Sequence, residues 1–141
     1  LGPGPGDPND NQDPRINKAK RIARMMLDQS LPFIGVCLGH QLTCLNLGLS
    51  LKSLHPPIQG IQKMVPLFGR KERVGFYNSF VADHHSLSSL GDSIQVQLDD
   101  DDHVVMMRGK GFVTIQFHVE SILTESGQQI LKNMFQHIAS S

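Results

Sequence analysis

The spacing of apolar residues divides the first third of the chain into helix, strand and helix. Apolar side chains recur every three or four positions over 16–27 with basic residues between them, which predicts an amphipathic helix. Asp13-Pro14 precedes this stretch and has the form of an N-cap followed by a proline at the first helical position. The apolar run at 33–36 has the length of a buried strand, and the apolar spacing from Gly39 onward is helical again.

Shorter alternating stretches follow, and one more helix is predicted at the end of the chain. The extended segments are 49–54, 59–67, 73–81 with an interruption at Asn78-Ser79, 93–98, 104–107 and 112–117. The final helix covers 125–139 and directs inward the apolar side chains of Ile130, Leu131, Met134, Phe135 and Ile138. Because helices alternate with strands, we predict an α/β fold, with a mostly parallel sheet flanked by helices and an added antiparallel portion.

The composition limits the classes of partner. The 141 residues suffice for one domain, 1–141, with a hydrophobic core. Thirteen basic and thirteen acidic residues cancel, so neither nucleic acid nor a membrane surface is indicated as a partner. We find no apolar run of transmembrane length and no signal-peptide pattern. Cys37 and Cys44 would lie about 10 Å apart, too far for a disulfide, which favours a reducing, cytoplasmic location.

Two groups of potential metal ligands do not have the spacing of a metal site. His84-His85 has no cysteine or carboxylate at a supporting distance in the sequence. The acidic run at 99–102 has the length of a turn and fits a solvated hairpin tip better than a cation site. The sequence therefore predicts no metal.

Cys37 lies at the predicted junction of strand and helix, between Gly35 and Gly39. This Gly-x-Cys-x-Gly spacing is the thiol counterpart of the nucleophile elbow, in which a tight turn raises the reactive side chain above the sheet. The positive end of the following helix would favour the thiolate. Taken by itself, the pattern also fits a small, buried and unreactive cysteine.

His118 and Glu120 would project to the same side of the chain if the strand before them stays extended. A carboxylate can orient an imidazole, and an imidazole can activate a thiol as a nucleophile. Such a pair alone more often has a structural role. The glycine- and proline-rich start of the chain, 1–8, is similarly open: it fits a flexible linker or a loop whose amides approach a ligand.

Three motifs in one order narrow these alternatives. They are Gly-Pro-Gly-Pro-Gly-Asp-Pro at 2–8, Gly-Val-Cys-Leu-Gly-His-Gln at 35–41 and Phe-His-x-Glu-Ser at 117–121. Together they resemble the class I glutamine amidotransferase domain, and most of all the glutaminase component of anthranilate synthase. Residues 7–15, Gln59-Gly60 and 75–80 are further similar to the amidotransferase domain of the phenazine-pathway aminodeoxyisochorismate synthase.

The resemblance implies a flavodoxin-like fold and a Cys-His-Glu triad. Cys37 would be the nucleophile, His118 the general base and acid, and Glu120 the carboxylate that orients His118. The resemblance also implies residues that bind glutamine and the oxyanion. The amides of Gly4 and Leu38 would form the oxyanion hole, Pro5 and Gly6 would complete the wall, and Gln41 with Ser79 and Phe80 would hold the amino-acid end.

The implied reaction is hydrolysis of glutamine to glutamate and ammonia. Ammonia would pass to a chorismate-utilising synthase, present as a separate subunit or as a domain fused upstream. This half would need no cofactor, whereas the partner synthase would use Mg²⁺. Two alternatives stay open: a γ-glutamyl peptidase with the same fold, and a non-catalytic module that only docks on the synthase.

The chain departs from the family pattern at three places. Val119 replaces the proline usual between the triad histidine and glutamate, and Gln59 stands where the anthranilate branch usually has histidine. The family fold also begins upstream of Leu1 with a strand, a helix and a strand. We therefore expect a domain that lacks its N-terminal strands, belongs to a longer polypeptide and has little activity as residues 1–141 alone.

Overall fold

The structure is a computed structural model that describes the chain from Leu1 to Ser141, apart from the side chains of Ser86 and Ser89. Its elements in chain order are α1 (Pro14–Asp28), β1 (Phe33–Val36), α2 (Leu38–Asn46), β2 (Leu51–Ser53), β3 (Ile61–Leu67), β4 (Arg70–Phe76), β5 (Phe80–Ala82), a 3-10 helix (His84–Ser89), β6 (Gln95–Leu98), β7 (Val104–Gly109), β8 (Phe112–Ile115) and α3 (Gly127–Ser140). The predicted N-cap of α1 is present, because Asp13 Oδ1 accepts a hydrogen bond from the Arg15 amide at 2.9 Å.

The central sheet has the strand order β1-β8-β7-β6. β1 and β8 are parallel, whereas β7 is antiparallel to both β8 and β6. The predicted α/β class is therefore confirmed, but within this chain the sheet is mixed and not mostly parallel. The reason is the short connections after Leu98 and Gly109, since connections of a few residues can join only antiparallel strands.

Two further ribbons lie beside the central sheet. β3 and β4 form an antiparallel pair, as do β2 and β5. The predicted extended segment 73–81 is thus divided between two ribbons, and the interruption at Asn78-Ser79 is where the chain passes from one to the other. The second helix ends at Asn46, so Leu49 lies beyond it.

Helices cover both faces of the central sheet. On β8, Val113 and Ile115 belong to an apolar cluster that includes Ile130 and Met134 of α3, whereas Phe112 belongs to a second cluster with Cys44 of α2. This alternation is that of successive side chains on a strand. Cys44 is fully buried, as predicted.

The inward face of α3 is narrower than predicted. Ile130 and Met134, four positions apart, are almost completely buried, whereas Phe135 is 54% exposed. One position on a helix corresponds to about 100° of rotation, which turns Phe135 away from the sheet. Within the described residues, no helix combines the length and apolar character needed to cross a bilayer.

The first residue of the chain lies along the free edge of β1. The Leu1 amino group donates to the Ile34 carbonyl at 2.9 Å, and the Leu1 carbonyl accepts from the Val36 amide at 2.9 Å. This is the hydrogen-bond pattern of a parallel strand, and it delivers the glycine-rich loop to the end of β1. A Cβ on Gly39 would collide with the Leu1 carbonyl oxygen, so only glycine permits this approach.

Candidate active site

Cys37 occupies the turn between β1 and α2, as the sequence predicts. Its backbone has φ 54° and ψ −100°, a conformation that non-glycine residues rarely adopt and that costs roughly 1–3 kcal/mol. A Cβ on Gly35 would lie 2.8 Å from Thr114 Cγ2 and 3.0 Å from the Gly39 carbonyl carbon. The two glycines therefore allow the tight turn that holds Cys37 at the N-terminal end of α2.

Cys37 as a whole residue is only 9% exposed. Burial raises the pKa of its thiol, and the negative charge of Glu120 acts in the same direction. The Leu38 amide and the Gln116 side chain donate hydrogen bonds to the sulfur and lower the pKa in part, with Gln116 Nε2 at 3.5 Å from Sγ. Burial therefore disfavours the thiolate, and the nearby N–H groups offset part of this effect.

The segment 116–120 reaches the same end of the sheet as Cys37. Because β1 and β8 are parallel, with Val36 paired to Ile115, the residues that follow each strand emerge side by side. The Cys37 amide donates to the Ile115 carbonyl at 2.9 Å.

His118 and Glu120 form a short hydrogen bond. His118 Nδ1 lies 2.6 Å from Glu120 Oε1, so Val119, in place of proline, does not separate the pair. Partial burial raises the pKa of Glu120, but the His118 hydrogen bond, the Glu120 backbone amide and the His118 charge together bring that pKa below its usual value. The carboxylate can therefore orient the imidazole.

The His118 ring is also held by its backbone and by a neighbouring aromatic residue. The His118 amide donates to the Gly75 carbonyl at 3.0 Å, and Thr124 Oγ1 donates to the His118 carbonyl at 2.6 Å. Tyr77 meets the imidazole edge-on, with ring centroids 5.3 Å apart. Its hydroxyl lies 2.7 Å from Ser121 Oγ.

A cleft of about 230 Å³ opens in front of Cys37. Nearly all the residues predicted to bind glutamine line it, and its full lining is Gly4, Pro5, Gly6, Cys37, Gln41, Tyr77, Asn78, Ser79 and Phe80. Leu38 does not line the cleft, but a Cβ on Gly4 would lie 3.5 Å from Leu38 Cδ2. The glycine-rich loop therefore contacts the first turn of α2.

His118 and Glu120 line a neighbouring depression of about 440 Å³, together with Tyr77, Ser121 and Ile122. Tyr77 is common to both depressions. Among the described residues, no hydrogen bond joins the Cys37 sulfur to His118; the sulfur contacts Leu38 and Gln116 instead. The structure thus brings the predicted nucleophile and most of the predicted binding residues together, and the His118–Glu120 pair lies next to them across Tyr77.

Gln41 is fixed by backbone and side-chain acceptors. Its Nε2 donates to the Phe80 carbonyl and to Gln116 Oε1, both at 3.1 Å. Asn78 Nδ2 donates to the same Phe80 carbonyl at 2.9 Å. These contacts connect α2, the helix after Cys37, to the segment 78–80.

Sequence reasoning did not single out Tyr77, Asn78 or Gln116 as site residues. Tyr77 and Asn78 lie inside the segment 75–80 that carried part of the family resemblance. Gln116 stands two positions before His118 in an extended run, so alternation along the strand was the signal that could have identified it.

The acidic turn at 99–102 joins the antiparallel strands β6 and β7 and is exposed at 100–102, as predicted for a solvated hairpin tip, whereas Asp99 is buried. The buried Asp99 has its Oδ1 satisfied by hydrogen bonds from the amides of Asp101 and His103, at 2.9 and 3.0 Å. Asp99, Asp101 and His103 place ligand atoms within 4.8 Å of one another. Lys63 Nζ lies 3.5 Å from Asp99 Oδ2 and 3.6 Å from Asp101 Oδ2, so an ammonium group already supplies a cation there.

His40 follows the elbow but points into the core. It is fully buried, with Nδ1 2.9 Å from Thr114 Oγ1 and Nε2 3.3 Å from the Val104 carbonyl. Because a carbonyl can only accept, Nε2 carries the proton and Nδ1 accepts from Thr114. Burial lowers the pKa of His40 to about 4, against an opposing effect of the Val104 carbonyl.

This histidine predicts an acid-sensitive contribution to stability. The pKa of His40 is about 4 when folded and 6.5 as its ordinary value, so the unfolded chain takes up the proton first as the pH falls. The contribution is fully present above pH 6.5 and is lost towards pH 4, by up to about 3 kcal/mol. Denaturant unfolding of the full-length protein at several pH values measures it. In His40→Gln the loss over this range should be smaller than in the wild type; an equal loss would contradict the assignment.

Comparison with known proteins identifies the family of this chain. The model of the family described as glutamine amidotransferase class-I matches residues 1–138. The chain belongs to this family. The amidotransferase chain is 42% identical over 142 residues to an anthranilate synthase, phenazine specific, of Pseudomonas chlororaphis, covering 97% of this chain and 22% of that protein. It thus spans about a fifth of that relative's length.

Two further related proteins are matched over about 70% of their own length. The amidotransferase chain is 31% identical to an anthranilate synthase component 2 of Archaeoglobus fulgidus, covering 94% of this chain and 70% of that protein. It superposes on the crystal structure of a glutamine amidotransferase from Thermotoga maritima with a TM-score of 0.68 at 15% identity, over 97% of this chain and 69% of that one. The predicted family and its α/β fold are confirmed.

Proposed function

We propose that this amidotransferase chain hydrolyses the side-chain amide of glutamine and supplies ammonia to a synthase. The observation that carries the proposal is the cleft in which the glycine loop 4–6, Cys37, Gln41 and the segment 78–80 meet. Its volume of about 230 Å³ is below the roughly 300–1,000 Å³ typical of sites for drug-sized ligands, which suits a substrate the size of an amino acid.

In the first half of the proposed reaction, the Cys37 thiolate attacks the amide carbon of glutamine. The carbonyl oxygen becomes an oxyanion, which the amides of Gly4 and Leu38 would stabilise, each by a few kcal/mol. His118 then protonates the departing nitrogen, so that ammonia leaves and a γ-glutamyl thioester remains on Cys37. Pro5 and Gly6 complete the wall, while Gln41 and the backbone at Ser79 and Phe80 hold the α-amino-acid end.

In the second half, His118 takes a proton from a water molecule that attacks the thioester. Glutamate is released and the Cys37 thiolate is restored. Glu120 occupies Nδ1 of His118, so Nε2 is the nitrogen that would exchange protons with the reacting groups. The proposal requires the His118 ring to approach Cys37 during turnover, since catalytic hydrogen bonds are often loose before substrate binds.

The ammonia acceptor in this proposal is a chorismate-type compound bound by a synthase subunit or fused domain. The names of two relatives, a phenazine-specific anthranilate synthase and an anthranilate synthase component 2, support such a partner. This half would need no cofactor or metal, and Mg²⁺ would belong to the synthase.

The test is a glutaminase assay on the full-length protein, with its synthase present. We expect glutamate and ammonia in equal amounts from L-glutamine, and much slower cleavage of γ-glutamyl dipeptides. Faster cleavage of the dipeptides would favour the γ-glutamyl peptidase alternative. No hydrolysis of either substrate would favour a module that only docks.

A further inference from the structure

Gln116 is a buried amide placed directly behind the nucleophile. It follows β8 and is 1% exposed, and both the oxygen and the nitrogen of its side-chain amide make hydrogen bonds. Its Oε1 accepts from Gln41 Nε2 at 3.1 Å, and its Nε2 lies 3.5 Å from the Cys37 sulfur. The side chain therefore bridges the residue that lines the glutamine cleft and the residue that attacks the substrate.

The direction of this bridge is determined by a backbone group. The Phe80 carbonyl can only accept a hydrogen bond, so the nitrogen of Gln41 must face it. The same Gln41 nitrogen faces Gln116, which must therefore present its oxygen there. The Gln116 nitrogen is left to face Cys37, and it does so as a donor. If the Gln116 amide were turned round, its NH₂ group would face the NH₂ group of Gln41 and neither could accept.

We propose that Gln116 is a positioning residue that holds the Cys37 sulfur in line with the cleft and stabilises its thiolate through an N–H donor. This inference deepens the proposed glutaminase reaction and rests on it. The sulfur is buried and lies in the field of the Glu120 carboxylate, and both conditions disfavour an anion. A neutral donor in a buried site offsets them, because hydrogen bonds to a charged group strengthen where water is excluded.

The Gln116 side chain can be altered without removing the hydrogen bonds that hold the strand. The Gln116 amide donates to the Val105 carbonyl at 2.9 Å whatever the side chain is. If the Gln116 oxygen is lost, Gln41 Nε2 still has the Phe80 carbonyl as acceptor. Gln116→Met keeps the length of the side chain and removes the donor. Gln116→Glu keeps the acceptor for Gln41 and places a carboxylate beside the sulfur.

The experiment measures the pKa of Cys37 in the full-length protein. The rate of iodoacetamide alkylation is followed against pH, and the labelled peptide is identified by mass. Burial raises the pKa of Cys44 strongly, so Cys44 stays unlabelled. We expect Gln116→Met to raise the pKa of Cys37 by about one to two units, the shift that corresponds to one hydrogen bond to a charged group. Gln116→Glu should raise it further.

Turnover gives the second measurement. At neutral pH, kcat/KM for glutamine should fall about tenfold or more in Gln116→Met and recover as the pH rises, since each pKa unit is a tenfold change in thiolate. Gln129→Met, an exposed glutamine in α3, is the matched control and should leave pKa and turnover unchanged.

Two outcomes would overturn the inference. One is an unchanged Cys37 pKa in both Gln116 variants. The other is a loss of turnover that is equal at every pH, which would mean only a structural role. Should the wild type hydrolyse no glutamine, the proposed function fails, but the alkylation comparison still decides whether Gln116 stabilises the thiolate. If Gln116→Met does not fold, Gln116→Glu supplies the pKa comparison.

Discussion

Replacing Cys37 with serine should remove glutamine hydrolysis and leave ammonia-dependent synthesis by the proposed synthase partner intact. A serine hydroxyl at this buried position has no comparable anion available near neutral pH, so the covalent step is lost. Removal of a single triad residue costs on the order of 10⁴–10⁶-fold in kcat in subtilisin, and we expect a loss in this range for Cys37→Ser. Glutamate release measures the first activity, and product formation from ammonium salts measures the second.

Cys44→Ser is the matched control for this substitution. Cys44 lies in α2, the helix that Cys37 precedes, and is buried in the core with its sulfur 3.6 Å from His40 Nε2. We expect it to lower stability and to keep glutamine hydrolysis within a few-fold of the wild type. Glutamine turnover at the wild-type rate in Cys37→Ser would rule out Cys37 as the nucleophile. Loss of both activities in Cys37→Ser would show that the substitution disturbs the fold or the partner contact instead.

The turn that carries Cys37 could be predicted because its geometry is local. A cysteine between two glycines at a strand–helix junction needs only neighbouring residues to form its turn. The resemblance supplied most of the other cleft residues, but not Tyr77 and Asn78, since Gly4 to Gly6 and Ser79-Phe80 lie in short motifs. The structure then places these residues around one cavity, although they come from three separate parts of the chain.

Contacts across the sheet could not be predicted in this way. Gln116 reaches the Cys37 sulfur because Val36 is paired with Ile115, and the alternation of neither strand defines that register alone. The pairing of Leu1 with the edge of β1 is equally non-local. The antiparallel part of the sheet was easier to predict from the sequence, because the turns after Leu98 and Gly109 are short enough to require hairpins.

Replacing His118 with asparagine should lower kcat for glutamine by about 10²–10⁴-fold, the usual range for loss of a general acid and base. Asparagine can still accept or donate a hydrogen bond but cannot carry the proton to ammonia. The cleft in front of Cys37 is lined by other residues, so KM should change little. Steady-state kinetics on the full-length protein separate the two constants.

Glu120→Gln should lower kcat less than His118→Asn does, because it removes the partner of His118 Nδ1 and leaves the imidazole in place.

His85→Asn, at an exposed histidine of the 3-10 helix, is the control for His118→Asn and should change neither kcat nor KM. The decisive quantity is the kcat of His118→Asn divided by the kcat of His85→Asn. If His118→Asn keeps more than about a tenth of the wild-type kcat, the proton carrier must be another group, because general acid–base catalysis contributes at least about 10²-fold. A large loss of kcat in His118→Asn with KM unchanged would support His118 as the proton carrier, with Glu120 still bound to its Nδ1.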